Sequence, residues 1–95
     1  MYYFVANIFI KDPREYQKYL DRSEEVFKKY RGAYLAVDNE PEILEGTWSY
    51  TRHVLIKFDN KQDFLNWYYS EEYQEILQHR LKGAVCDSLL VKGKI

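Results

Sequence analysis

The sequence contains a single cysteine, Cys86, together with only two prolines and four glycines in 95 residues. One cysteine excludes an internal disulfide, and secreted domains of this size usually carry several. With so few glycines and prolines there is no linker-like stretch, and one domain spanning residues 1–95 is expected. Neither sign of charge dominates, since 14 Lys and Arg stand against 15 Asp and Glu for a net charge of −1. That balance lacks the positive field that holds nucleic acid or an anionic membrane surface. His53, His79 and Cys86 show no Cys-x-x-Cys or His-x-x-x-His spacing, so no metal site is expected. Phosphate-cradling glycine loops, nucleophile-elbow serines and paired-carboxylate motifs are missing too, and no cofactor is expected. Long hydrophobic runs are also absent. The apolar stretch Met1–Ile10 is about half the ~20 residues that cross a bilayer, and it has no basic lead-in or cleavage site. The expected location is cytoplasmic, with no membrane partner.

Aromatic residues, at 18% of the chain, are plentiful, and ten of them are tyrosines. The first ten residues are aromatic and β-branched without clear polar alternation, as in a strand buried on both faces. Asp12 suits a helix N-cap, Pro13 the first helical position, and Glu15 the third position of a capping box. Tyr16, Tyr19, Leu20, Val26, Phe27 and Tyr30 then recur at helical spacing, predicting a helix over 13–30 with Gly32 as a left-handed cap. Residues 33–37 read as a strand, and Glu42–Glu45 as its continuation beyond an irregularity. Arg52–Phe58 alternates: Val54, Ile56 and Phe58 share one face, His53, Leu55 and Lys57 the other. Asn60 suits the cap of a second helix carrying Phe64, Leu65, Trp67 and Tyr68. Ser70 restarts that helix as far as Gly83, and a strand over about 85–92 closes the chain.

This order predicts an α+β, ferredoxin-like βαββαβ domain, with both helical stretches on one face of a four-stranded antiparallel sheet. The other face would carry Tyr3, Val5, Asn7 and Phe9. So much apolar surface exceeds what a soluble monomer leaves exposed, and a second copy of the sheet is the simplest cover. A homodimer through the sheet face is therefore expected.

Several segments also resemble a known family. They are Asp12-Pro13 with Tyr16 and Tyr19; Tyr30-Arg31-Gly32-Ala33-Tyr34-Leu35; Glu42 with Leu44-Glu45-Gly46; Arg52 leading to Phe58; and Trp67-Tyr68-Tyr69-Ser70-Glu71-Glu72-Tyr73-Gln74 with Arg80. Their order and spacing are similar to the bacterial domain of unknown function 1330 family, in the dimeric α/β-barrel superfamily. The usual second glycine after Tyr30 is Ala33 here, and Glu71 stands where proline is usual. The resemblance implies two sheets packed face to face as a dimeric α/β barrel, with a cavity between sheet and helices or between subunits. It supplies no reaction. The wider superfamily includes cofactor-free monooxygenases, lactone isomerases, haem-binding members and ligand-binding regulators.

Among chemically competent residues, His53 reads either as an acid or base lining a cavity or as a hydrogen-bonded interface histidine. Asn7 shares its open face, and on neighbouring strands the two would converge near Tyr3. Arg80 shares a helical face with Tyr73, Ile76 and Leu77, so its guanidinium points inward and needs a buried carboxylate or an anionic ligand. Glu45 and Arg52 read as a hairpin ion pair or as charges at a pocket mouth. Trp67 and Tyr68 read as core aromatics or, with Trp48, Tyr3 and Tyr34, as pocket walls. An RNA-recognition domain shares the strand order, but its basic aromatic motif is absent. The expectation is a dimeric α/β-barrel protein that binds a small aromatic or anionic organic molecule. As an enzyme it would be a cofactor-independent monooxygenase or isomerase, with His53 as base and Asn7 or Arg80 orienting an oxyanion. The alternative is a non-catalytic dimeric module.

Overall fold

In a computed structural model, residues 1–95 form β1 (Tyr2–Ile10), α1 (Pro13–Phe27), β2 (Gly32–Asp38), β3 (Arg52–Phe58), α2 (Lys61–Tyr68), α3 (Glu71–Gly83) and β4 (Ala84–Lys92). The strands make one antiparallel sheet in the order β2-β3-β1-β4. This is the ferredoxin-like α+β arrangement, with the second helical stretch split into α2 and α3. β1 is central and paired on both sides, but only its Phe4, Ala6 and Ile8 face is buried; the other face is left uncovered, contrary to what its apolar run suggests.

The caps form where the sequence places them. Asp12 Oδ1 accepts from the amides of Arg14 and Glu15 at 3.1 and 3.2 Å, Asn60 Oδ1 from Asp63, and Ser70 Oγ from Tyr73. The expected capping box is only half made. The Asp12 amide donates to the Gly83 carbonyl at 2.9 Å, and the Glu15 carboxylate turns to His79 and Lys18 instead. α1 ends at Phe27 rather than at 30, closing in a turn where Tyr30 donates to the Phe27 carbonyl. Gly32 is not a left-handed cap, because it opens β2 and only Gly46 has a positive φ, of 84°. Packing requires the glycine instead: a Cβ on Gly32 would lie 2.5 Å from the Phe27 ring.

Glu42–Glu45 does not continue the strand. β3 begins at Arg52 and its last partnership with β2 is Asp38 with His53, so nothing remains for residues 42–45 to pair with. They run in an exposed loop instead. β2 also contains a bulge: Tyr34 pairs with Ile56 and Ala36 with Leu55, leaving Leu35 as an extra residue.

The core lies between the sheet and the helices. Phe4, Ala6 and Ile8 of β1 and Val54, Ile56 and Phe58 of β3 meet Tyr16, Tyr19, Phe27, Trp67, Tyr73 and Ile76 from the helical layer. Trp67 is its centre, stacked on Phe58 at 5.7 Å and tilted against Tyr73 at 4.4 Å. α1 and α3 approach closely at Gly83, where a Cβ would meet the Tyr16 backbone nitrogen at 2.7 Å. On the sheet's other face, register places Val5 between Leu55 and Leu89, and Asn7 between His53 and Asp87. That face has no helix over it. Leu89 stays 65% exposed and Phe9 42%.

Candidate functional site

Each face of the sheet holds a group of polar side chains. On the uncovered face, Asn7 stands beside His53 on β3, with His53 Nδ1 2.8 Å from Asn7 Oδ1. With the amide oxygen turned to the ring, Nδ1 donates, and Nε2 has no partner. On the other side of Asn7, Asp87 accepts from the Tyr50 hydroxyl at 2.6 Å, and that bond raises the Tyr50 pKa. The Trp48 indole packs on Tyr50 at 5.0 Å and reaches His53 at 6.1 Å, with its buried Nε1 unpartnered. An open pocket of about 360 Å3 joins Trp48 and His53 to Glu45 and the apolar loop residues Ile43 and Leu44.

On the helix side, Arg52 takes the parity of Val54 and enters the layer between sheet and α1. Arg80 enters the same layer from α3. Both line one cavity of about 30 Å3, walled by Phe4, Tyr16, Tyr19, Ile56 and Trp67. Arg80 is only 3% exposed, sits 5.7 Å from the Tyr19 ring centroid, and has no hydrogen-bond partner for Nε. Arg52 donates through one terminal nitrogen to Asn39 Oδ1 at 3.2 Å, but its buried Nε is unpartnered too. No carboxylate pairs with either cation. The phenols around them do not compensate that charge. Burial raises the Tyr16 pKa against the pull of Arg52 and Arg80, holds Tyr19 well above the usual value, and pushes Tyr73 up to about 12. Tyr19 and Tyr73 share a 2.8 Å hydrogen bond instead. Burial likewise raises the Cys86 thiol, with Arg80 opposing.

The cavity continues outward into a groove of about 380 Å3 between α1 and β2, sharing Leu20, Ser23, Tyr34 and Arg52 with it. Phe27 and Val37 give this groove apolar walls, and Glu24 and Lys28 stand at its edge.

The sequence-designated residues therefore divide between two places. Asn7 and His53 converge, as strand parity required. Arg52 and Arg80 converge on the opposite face, with Trp67 beside them. The hairpin ion pair is not formed, since Glu45 lies out in the loop and Arg52 turns to Asn39. Tyr3 stands on the uncovered face beyond Val5, its hydroxyl 3.5 Å from Met1 Sδ. Tyr68 stacks on Phe64 at 5.2 Å and stays outside the cavity. Tyr16 and Tyr19 as cavity walls, and the Tyr50–Asp87 bond, were not anticipated. The helical spacing that marks the two tyrosines as buried carries the first; nothing local signals the second.

A sheet covered by helices on one face and apolar on the other, with a lined cavity beneath the helices, defines the ferredoxin-like class to which the dimeric α/β-barrel proteins belong. Within that class the chain belongs to the family described as Domain of unknown function (DUF1330), whose model matches residues 1–94. No curated protein matches it in sequence. Among solved structures it is similar to RPA0582, a protein of unknown function from Rhodopseudomonas palustris, at 16% identity and TM-score 0.79 over 99% of this chain and 82% of that one. It is also similar to SnoaB, a cofactor-independent oxygenase from Streptomyces nogalater, at 12% identity and TM-score 0.67 over 99% and 93%. HapK from Hahella chejuensis gives 12% and 0.65 over 98% and 92%. At such identities the likeness speaks for the fold.

Proposed function

We propose that the chain is one subunit of a homodimer closed through its uncovered sheet face, and that each subunit binds a small organic molecule between sheet and helices. The observation that carries the binding reading is Arg80, a buried cation without a carboxylate in an aromatic-walled cavity. A domain whose interior served packing alone would lose nothing by an apolar residue there. The dimer reading is supported by the row Val5–Leu55–Leu89, which a second sheet would cover.

A catalytic reading stands beside it. His53 leaves Nε2 free on the face that a second subunit would enclose, and SnoaB lends the precedent of cofactor-free oxygen chemistry on this fold. There His53 would act as base and Asn7 would fix its tautomer.

Light scattering after size exclusion tests the dimer: a mass near twice 11.6 kDa supports it, and a stable species of 11.6 kDa ends it. Val5→Arg and Leu55→Arg should each shift the protein towards monomer. Native mass spectrometry of freshly purified protein tests the binding reading by looking for a co-purified small molecule. Thermal shifts against a panel of aromatic acids, alcohols and lactones test it independently.

A further inference from the structure

We infer that the space between Arg52 and Arg80 takes the carboxylate of a small aromatic or aliphatic acid, headgroup inward and apolar body lying in the groove between α1 and β2. This rests on the helix–sheet binding reading above and adds the ligand's chemistry.

Arg80 is 97% removed from solvent, and its Nε has neither hydrogen-bond partner nor ion pair. A second guanidinium with an unpartnered Nε, Arg52, lines the same cavity. No Asp or Glu lines that cavity, and the carboxylate in the outer groove, Glu24, does not pair with Arg52. The buried Arg80 and the half-buried Arg52, like-charged groups lining one space, repel each other and keep their Nε donors unmet unless an anion enters. The guanidinium fork matches a planar, two-oxygen acceptor. Size then constrains the rest of the ligand. About 30 Å3 of free space admits a carboxylate but no ring, so the body of the ligand must lie outward. The groove of about 380 Å3 offers Leu20, Phe27, Tyr34 and Val37 to receive it. The neutral phenols of Tyr16 and Tyr19 complete the wall without competing as anions.

The test compares benzoate, its neutral counterpart benzamide, and inorganic phosphate on the full chain. Affinities come from calorimetry, and the location of binding from amide chemical shifts of Ser23, Val54 and Trp67. Benzoate should bind and move those signals, with benzamide weaker by roughly tenfold or more, the loss of a charge-assisted contact. Arg52→Gln should weaken benzoate by a similar factor while the circular dichroism stays that of the parent. Arg80→Met should do the same; should it fail to fold, Arg52→Gln decides. If benzamide binds as tightly as benzoate and moves the same signals, the cavity binds small molecules but the anion assignment falls. Phosphate binding there as tightly as benzoate would overturn the carboxylate. If no compound moves the cavity signals, the binding reading falls along with the anion assignment.

Discussion

His53 and Asn7 face each other across the β1–β3 pair, the imidazole Nδ1 2.8 Å from the side-chain oxygen, on the sheet face that no helix covers. Each satisfies the other where neither neighbouring row offers a partner. The Val5–Leu55–Leu89 row beside them has no polar side chain.

That mutual dependence is measurable. Asn7→Leu should cost about 1 kcal/mol by leaving the half-buried ring donor unmet. Adding His53→Leu to that variant should recover most of the loss, because both polar partners are then gone. Urea denaturation of the two single variants and the double variant gives the coupling. Strict additivity would mean the bond contributes nothing.

The contact between α1 and α3 makes Gly83 intolerant of a side chain. A Cβ there meets Tyr16 N at 2.7 Å, Asp12 O at 3.1 Å and Tyr16 Cα at 3.2 Å, all backbone atoms that cannot swing aside. Gly83→Ala should therefore lose at least ~2 kcal/mol. Gly46→Ala meets nothing within 4 Å and carries only the strain of its positive φ, about 1 kcal/mol. Thermal midpoints in the reverse order would contradict this packing.

Acid should weaken the α1–α3 pair at a second point. His79 first, and Lys18 after it, hold the Glu15 carboxyl below its usual range. A depressed carboxyl contributes its stability above its ordinary pKa and loses it as pH falls through the lowered value. Glu15→Gln should therefore show a shallower decline in thermal midpoint than the parent between about pH 5 and about pH 3. Parallel curves would remove Glu15 from the acid response.

Tyr19 and Tyr73 contribute to the loss of stability in alkali. Both are raised by burial, Tyr73 to about 12, so the folded interior favours their neutral forms. Their contribution is intact below the unfolded tyrosine pKa of about 10 and is lost as pH climbs through the raised values. Tyr73→Phe should cost about 1 kcal/mol at neutral pH, through the broken 2.8 Å bond to Tyr19, yet decline less steeply in alkali. Chemical denaturation at about pH 8 and about pH 11 checks both signs.

Periodicity and caps made most of the fold legible. Asp12, Asn60 and Ser70 mark three helix starts, and the alternation from Val54 to Phe58 sorts the faces of β3 without ambiguity. Glu42–Glu45 misleads because strand propensity says nothing about whether a partner strand is present. The loop needed the register of β3 to become visible. The candidate site was half legible. Strand parity alone brings Asn7 to His53, and helical spacing alone turns Arg80 inward. Arg52 has the parity of Val54, yet Glu45 across the short intervening segment offered a local partner that the loop carries away. The Tyr50–Asp87 bond joins residues 37 apart in sequence and leaves no local trace.

The extra residue in β2 has a consequence of its own. Tyr34 and Val37 are three positions apart, an odd number, so a regular strand would send them to opposite faces. Leu35 takes up the difference, and both side chains stand at the groove beside Arg52. The bulge, rather than residue identity, decides which side chains form the doorway. Taking Leu35 into regular register would turn either Tyr34 or Val37 to the opposite face while leaving both guanidinium groups in place, whereas deleting Leu35 would keep both side chains at the groove. Relatives of equal length that lack this bulge would keep the same charges and admit molecules of a different shape.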